Sequence, residues 1–238
     1  MDFNEKHFAM LVSGSPLGVA PEVLWEMSEG MSFVVAVDSG AKWCFEAGVI
    51  PDLLIGDMDS IDPEIVKVFQ DQDVETITFS SEKDATDFEL AINQIIERGY
   101  SDMVATNVVG GRIDHELAAI GNLVAAGRKG LAVTVVETDQ TLIFLSNPGA
   151  RSRLQVALGS DLDNMSDLTV SLVAWGGVAT VSAVGYKWEL DRAELHPNSS
   201  LGVSNVPTAV EPVIEVHSGD LIVVVPAPAV SGENEAAE

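Results

Sequence analysis

The sequence predicts an α/β N-terminal domain with a mostly parallel sheet, followed by a small all-β, sandwich-like C-terminal domain. In the first part of the chain, short apolar runs alternate with segments of helical period, which is typical of parallel strands covered by helices on both faces. After Asn147-Pro148-Gly149 the apolar runs are short, rich in Val, Leu and Ile, and separated by Gly, Pro, Asn and Ser. They show no helical period, and this pattern is typical of antiparallel strands. A chain of 238 residues is long enough to bury two cores.

The elements of the first domain follow from their hydrophobic patterns. Strands are predicted at residues 8–13, 33–37, 53–55, 74–77, 103–109 and 132–136. Helices are predicted between them at residues 21–28, 41–47, 63–69, 86–98 and 114–126. Ligands of such sheets bind beyond the carboxyl ends of the strands, so the polar residues that follow each strand are the first candidates for a site.

The second domain is predicted to consist of short strands joined by turns. These strands lie at residues 168–174, 178–184, 214–216 and 221–225. We place the domain boundary near residue 148, which gives an α/β domain over 1–148 and a β domain over 149–228. The remaining residues, 229–238, form an acidic tail without apolar periodicity and are predicted to be disordered.

The formal net charge of −25 is the most unusual bulk property of the chain. A surface this negative repels nucleic acid and anionic membranes, so neither is expected as a partner. Nucleotide binding stays compatible with this charge, because a metal ion and backbone amides neutralise a phosphate chain locally. The sequence has no transmembrane run or signal-peptide pattern, and Cys44 is its only cysteine. These features predict a cytoplasmic protein.

Asp57 and Asp59 end the apolar run of the third predicted strand. On an extended chain, a spacing of i and i+2 places both carboxylates on the same side. Two anions held this close repel each other and lose hydration, and a divalent cation between them is the simplest compensation. The alternative is that a strand-end Asp, or Ser60, caps the turn or the helix that follows. The pair alone leaves both interpretations open.

A second polar cluster covers residues 83–89, before and within the first turn of a predicted helix. Asp84 or Thr86 is a plausible N-cap, and Glu89 favours the positive end of the helix dipole. One cap does not account for the accumulation of Lys83, Asp84 and Asp87. The functional interpretation places Asp87 on a metal ion and Lys83 near a phosphate or the substrate.

A third cluster, Gly-Gly-Arg-Ile-Asp-His over residues 110–115, follows the fifth predicted strand. Paired glycines let the backbone approach a phosphate closely, and Arg112 offers a fork of donors to phosphate oxygens. The alternative is an ordinary Gly-Gly turn. The sequence contains no Walker loop, no Gly-x-Ser-x-Gly elbow and no Cys/His grouping that suits zinc. The sequence therefore favours phosphate chemistry that depends on a magnesium ion bound by carboxylates.

Taken together and in this order, the clusters resemble the thiamine pyrophosphokinase family. In the first domain the resembling segments are residues 37–41, 51–60, 83–89 and 110–115. In the second, residues 170–173, 184–190 and 200–205 resemble the family's thiamine-binding domain. The resemblance extends over nearly the whole chain, from about residue 8 to about residue 225.

The resemblance implies a transferase that moves a pyrophosphoryl group from ATP to the hydroxyl of thiamine, giving thiamine diphosphate and AMP. Residues 1–148 would form the nucleotide- and metal-binding catalytic domain, and residues 149–228 would form the thiamine-binding domain. Members of this family are homodimers with the active site between subunits, so a homodimer is expected here.

The resemblance also implies roles for individual residues. The Mg²⁺ ion on the triphosphate would be bound by Asp57, Asp59 and Asp87. These three residues would therefore also be the catalytic residues. The ATP pocket would include Asp38, Lys83, Arg112 and Asp114. From the partner subunit, Trp188 would cover the ring of thiamine and Ser182 would help to bind it. An indole face suits the cationic thiazolium. Without the resemblance, Trp188 is better interpreted as a core residue of the β domain.

Two hypotheses from other classes compete with this one. The first is a non-catalytic thiamine or nucleotide binder on the same scaffold, against which the intact set of Asp57, Asp59, Asp87 and Arg112 argues. The second is a metal-dependent phosphohydrolase. The haloacid type of phosphohydrolase carries its Asp-x-Asp pair after the first strand, whereas the pair here follows the third predicted strand.

Overall fold

The computed structural model describes residues 8–58, 61–78, 84–155 and 168–226. In the first part of the chain the strands are β1 (Phe8–Val12), β2 (Phe33–Val37), β3 (Leu53–Gly56), β4 (Glu75–Thr78), β5 (Asp102–Thr106) and β6 (Ala132–Val136). The helices are α1 (Pro21–Ser28), α2 (Gly40–Ala47), α3 (Pro63–Asp71), α4 (Asp87–Glu97) and α5 (Ile113–Arg128). The later strands are β7 (Gln140–Asn147), β8 (Arg153–Gln155), β9 (Ser171–Ala174), β10 (Ala179–Val184), β11 (Leu190–Leu195) and β12 (Val213–Pro226).

Six parallel strands form the sheet of the α/β part, in the order β6-β5-β1-β2-β3-β4. The chain moves outward from β1 to β4 on one side and returns to place β5 and β6 on the other. The strand order therefore reverses between β1 and β5, and sheets of this type bind ligands at such a reversal. The register aligns the two strand ends, with Val12 opposite Thr106.

Helices cover both faces of this sheet because the strands are apolar on both sides. In β1, Ala9 and Leu11 pack in a core with α4 and α5, whereas Met10 and Val12 pack in a second core with α1, α2 and α3. The same alternation continues in β2, because successive side chains of a strand point to opposite faces. The predicted fold class is confirmed, with a mostly parallel α/β part followed by a part rich in antiparallel strands.

The long strand β12 belongs to both parts of the molecule. Its first half pairs antiparallel with β8 and β10, and its second half pairs antiparallel with β7 and β9. The change of partners occurs around Gly219, which has a φ of +86°. A Cβ at this position would meet the carbonyl oxygen of Val178 at 2.5 Å. Glycine is therefore required where the strand passes from one group of partners to the other.

Several strand predictions differ from the structure: the short strand β8 was not predicted, and three other differences have a clear physical reason. No strand was predicted over β7, whose short apolar core lies between polar residues; hydrogen bonding to β6 and β12 makes it eight residues long. The edge strand β11 was missed because Asp191, Arg192 and Glu194 make it polar. The two strands predicted at 214–216 and 221–225 are one strand. The glycine that suggested a turn, Gly219, has a positive φ within the continuous strand.

Two further predictions concern the domain boundary and the termini. The division near residue 148 stays a prediction, and the tail at 229–238 lies outside the described residues. Among the described residues, no helix is both long and apolar enough to cross a membrane.

Gly219→Ala tests the role of this position in β12. We expect the substitution to lower the free energy of unfolding by about 2 kcal/mol or more, because alanine disfavours a positive φ and its methyl group has no space. Urea denaturation measures the change. Gly121→Ala is the matched control, since Gly121 lies in α5 with nothing within 4 Å of an added Cβ. An equal effect of the two substitutions would contradict this account of Gly219.

Candidate active site

A cavity of about 830 Å³ opens at the carboxyl ends of β1, β2 and β5, beside the reversal of strand order. The loop after β1 lies against the end of β5, where the Ser13 amide donates to the Thr106 carbonyl at 3.0 Å and the Ser15 amide donates to the Asn107 carbonyl at 2.9 Å. The charged and titratable residues in the wall are Asp38, Asp87, Arg112, Asp114, His115 and Glu116. The cavity therefore lies where the topology predicts a ligand site.

Three non-glycine residues with left-handed backbone follow the strands around this cavity. They are Asp38 after β2, Met58 after β3 and Asn107 after β5, with φ values of 48°, 64° and 57°. Such conformations cost free energy and persist only where surrounding contacts hold them, and they are concentrated at functional sites. All three follow strands of the same parallel sheet, and two of these strands, β2 and β5, border the cavity, which supports the choice of this region as the site.

Gly56 leaves room for the Asp38 carboxylate at the end of β3. A Cβ on Gly56 would overlap with Oδ1 of Asp38, and Gly56 also has a φ of +153°. The Asp38 side chain thus occupies the space where residue 56 would carry its own, directly before Asp57. Both carboxylates are half-buried.

Asp87 is the first residue of α4, and Thr86 caps that helix. The Thr86 hydroxyl accepts a hydrogen bond from the Glu89 amide at 3.2 Å, which decides between the two predicted caps. The Asp87 side chain is half-buried in the cavity wall and is not needed as the cap. Capping therefore does not explain the carboxylate at this position.

The described carboxylates have the donor chemistry of a metal site. Oxygen ligands of this kind suit hard cations such as Mg²⁺. Within 8–58, 61–78, 84–155 and 168–226, no three acidic, histidine or cysteine residues form a group that could hold a metal ion. Two of the predicted residues, Asp59 and Lys83, lie outside these ranges. The donor chemistry fits a magnesium ion, with Asp57 and Asp87 as the described members of the predicted ligand set.

Arg112 and Asp114 form an exposed ion pair at the cavity wall. The Arg112 guanidinium donates to both carboxylate oxygens of Asp114, at 3.2 Å and 2.6 Å. This hydrogen bonding lowers the pKa of the Asp114 carboxyl and raises the pKa of Arg112. The paired guanidinium faces the cavity with the planar donor geometry that phosphate oxygens match.

Two glutamates hold the turn that leads into α5, and neither was predicted. Glu137 is buried after β6, and its carboxylate accepts hydrogen bonds from the amides of Asn107, Val108 and Val109 at 2.7 to 3.1 Å. A single oxygen of Glu116 accepts the next two amides, those of Gly110 and Gly111, at 2.8 and 2.6 Å. The sequence offers no local pattern that links Glu137 to a turn 30 residues earlier.

Trp188 and Ser182 lie on the β part and do not line the cavity of their own chain. Trp188 is 54% exposed, so its interpretation as a core residue is wrong. Its amide donates to Oδ1 of the buried Asn205 at 3.1 Å, and Nδ2 of Asn205 donates to its carbonyl at 2.7 Å. Nζ of Lys187 lies 4.7 Å from the centre of the indole ring. Asn205 thus fixes the backbone of Trp188, and the indole ring already contacts the Lys187 ammonium group.

Ser182 on β10 is hydrogen-bonded on two sides. Its hydroxyl lies 2.8 Å from Nε2 of His217 and accepts from the Arg192 amide at 3.1 Å. The direction of the hydrogen bond between the hydroxyl and His217 depends on the tautomer of the histidine ring. Ser182 therefore has a defined orientation on the outer face of β10.

Comparison with known proteins places these features in one family. Residues 24–135 match the model of the thiamin pyrophosphokinase catalytic domain, and residues 160–223 match the model of the thiamin pyrophosphokinase vitamin B1 binding domain. The two matches are consecutive and together cover most of the chain. The chain belongs to the thiamine pyrophosphokinase family.

Relatives of this thiamine pyrophosphokinase family member occur in bacteria and plants. A thiamine pyrophosphokinase of Bacillus subtilis is 23% identical over 201 residues, which cover 82% of this chain and 87% of the relative. Thiamine pyrophosphokinase 3 of rice is 23% identical over 179 residues, or 72% of this chain and 64% of the plant protein. The chain thus spans less than two thirds of the length of the plant relative.

Solved structures share the fold. The crystal structure of the Bacillus subtilis thiamine pyrophosphokinase matches with a TM-score of 0.78 and 18% identity, covering 93% of this chain and 99% of that one. The thiamin pyrophosphokinase of Candida albicans matches with a TM-score of 0.76 and 16% identity, covering 94% and 90%. These similarities confirm the arrangement of both parts of the family fold.

The pH dependence of stability tests the environment of Glu137. Burial raises the pKa of the Glu137 carboxyl above its ordinary value of 4.5, although the three amides oppose this shift. A raised pKa in the folded state means that folded protein binds the proton more tightly, so stability falls as pH rises from 4.5 through the raised pKa. We expect the free energy of unfolding of the wild type to fall in this window relative to that of Glu137→Gln.

Urea denaturation at several pH values measures both proteins. The exposed Glu211 supplies a control, Glu211→Gln, which removes one carboxylate far from such burial. Parallel pH profiles for the wild type and Glu137→Gln would contradict the assignment.

Proposed function

We propose that this family member converts thiamine to thiamine diphosphate by taking a pyrophosphoryl group from ATP, with Mg²⁺ as its metal. Membership of the family supports the reaction. The observation that carries the proposal is the cavity of about 830 Å³ at the strand reversal, where carboxylates and a guanidinium face the same space. The proposal includes a cytoplasmic location, because a single cysteine allows no intramolecular disulfide.

The proposed metal ligands are Asp57, Asp59 and Asp87. Asp57 follows the glycine that admits the Asp38 carboxylate, and Asp87 lies in the cavity wall. When bound there, Mg²⁺ neutralises phosphate charge and orients the triphosphate. The strongly acidic wall then becomes favourable for a cationic second substrate, since thiamine carries a positive thiazolium.

The proposed step forms a bond between the hydroxyl oxygen of thiamine and the β-phosphorus of ATP. The bond from that phosphorus to the oxygen bridging it to the α-phosphorus breaks, and AMP leaves with the electron pair. The hydroxyl proton would pass to a carboxylate such as Asp59 or Asp87. Arg112, with Lys83 and Asp114, would line the phosphate pocket beside Asp38. Positioning and charge neutralisation supply most of the catalysis in such transfers.

A homodimer with shared active sites belongs to the same proposal. Trp188 and Ser182 do not line the cavity of their own chain. The indole of Trp188 is nevertheless exposed, and hydrogen bonds between the Trp188 backbone and Asn205 fix its position. A partner subunit would bring its Trp188 over the thiamine ring, with its Ser182 nearby. This arrangement uses an aromatic surface that would otherwise be an exposed apolar side chain.

Product analysis tests the proposed function directly. The purified protein is mixed with ATP, Mg²⁺ and thiamine, and the products are separated. We expect thiamine diphosphate with an equal amount of AMP, and loss of both when the metal is chelated. ADP with thiamine monophosphate would overturn the position of attack. Inorganic phosphate without any thiamine ester would favour a phosphohydrolase, and thiamine binding without turnover would favour a binding protein.

Asp57→Asn supplies the decisive control for the metal assignment. It removes one metal-binding charge at nearly constant side-chain volume, so we expect turnover to fall by about 10²-fold or more with an unchanged thermal unfolding midpoint. Turnover near that of the wild type would exclude Asp57 as a ligand.

Trp188→Ala tests the thiamine surface. Loss of the indole face should raise KM for thiamine about tenfold, while kcat changes little, because stacking on a cation contributes to binding of both ground and transition states. Trp25→Ala is the matched control, since Trp25 is 48% exposed on α1 and does not line the cavity. Equal KM values for the wild type and Trp188→Ala would remove Trp188 from the site.

A further inference from the structure

Glu116 occupies the anion-binding part of the Gly-Gly turn. One of its carboxylate oxygens accepts hydrogen bonds from the successive amides of Gly110 and Gly111, at 2.8 and 2.6 Å. Gly110 has a φ of +102°, which turns consecutive amides toward a common point. Consecutive amides that converge in this way form a concave site for anions. In this structure a carboxylate of the same chain fills that site.

The filled amides belong to the proposed phosphate pocket. Gly110, Gly111, Arg112 and Glu116 all line the cavity. A phosphate oxygen placed between the two amides would make the hydrogen bonds that the Glu116 carboxylate now makes. It would also lie near the Arg112 guanidinium and the first turn of α5, both favourable for an anion. Carboxylate and phosphate therefore cannot occupy these amides together.

We propose that Glu116 is an internal competitor of nucleotide phosphate, which must leave the amides of Gly110 and Gly111 before the phosphate chain is fully bound. The inference rests on the proposed function, because it takes the cavity as the nucleotide site. It assigns Glu116 a role in setting nucleotide affinity. The exchange replaces one anion by another on the same donors, so the turn keeps its hydrogen bonds in both states.

The structure separates this exchangeable carboxylate from a permanent one. Glu137 holds the preceding amides from the buried side, with 8% of its surface exposed. Glu116 is half-buried at the cavity wall, and both glycines are exposed. Water or a ligand can therefore replace Glu116 at the glycine amides, while Glu137 keeps the turn in place. Removal of Glu116 should leave the fold intact.

Calorimetric titration with Mg²⁺–ATP, in the absence of thiamine, tests the proposal by a measurement that needs no turnover. We expect Glu116→Ala to bind Mg²⁺–ATP roughly three to ten times more tightly than the wild type, since it removes a charge-assisted competitor. Glu116→Gln keeps an uncharged acceptor and should lie between the two. Titration with Mg²⁺–pyrophosphate should reproduce this order, whereas adenosine, which lacks phosphate, should bind all three proteins equally.

Glu64→Ala is the matched control. Glu64 lies in the first turn of α3, away from the cavity, so its removal changes the net charge equally without opening the glycine amides. Tighter binding by Glu116→Ala than by Glu64→Ala supports the proposal. If Glu116→Ala binds Mg²⁺–ATP no more tightly than Glu64→Ala, while the wild-type protein still forms thiamine diphosphate, the proposal is overturned. Glu116 then only supports the turn. A wild-type protein that neither binds ATP nor forms thiamine diphosphate overturns the proposed function and this inference together.

Discussion

The turn between β5 and α5 depends on carboxylates that accept its backbone amides. Five successive amides, from Asn107 to Gly111, donate to Glu137 and Glu116. Without Glu137 the three amides on the buried side would have no protein partner, at a cost that a small loop does not recover elsewhere, whereas the exposed amides of Gly110 and Gly111 can bond water or a ligand. The position of Arg112, the start of α5 and one wall of the cavity all follow from this arrangement.

Helix α5 connects that turn to the second part of the molecule. Its first residues border the cavity, and Arg128 in its last turn donates to both carboxylate oxygens of Asp220 on β12. Asp220 is buried, with 3% of its surface exposed, whereas the Arg128 side chain is 58% exposed. One helix therefore joins the cavity to the strand shared by both parts. Removal of the Arg128 charge would leave the buried Asp220 carboxylate without this partner.

The sequence predicted the fold class because the spacing of apolar residues that is typical of a helix or of a strand is a local property. Continuous apolar runs such as Phe33–Val37 were placed correctly, since burial on both faces leaves no polar positions. The strand at 103–109 was predicted too long, because Asn107 leaves the strand with a left-handed backbone that no pattern indicates. Candidate site residues such as Arg112 and Asp114 could be predicted because they belong to short sequence motifs. Glu137 could not be predicted, because its partners are set by tertiary structure alone.

The sharing of β12 between the two parts has a consequence for dissecting the protein. A fragment that ends near residue 148 would keep β7 and lose the strand that pairs along its outer side. The eight-residue edge left open would carry Leu142, Phe144 and Leu145, all buried in the intact chain. Unpaired, apolar strand edges recruit further chains and aggregate. We therefore expect a fragment cut at the apparent boundary to aggregate, although it contains all the strands that border the cavity.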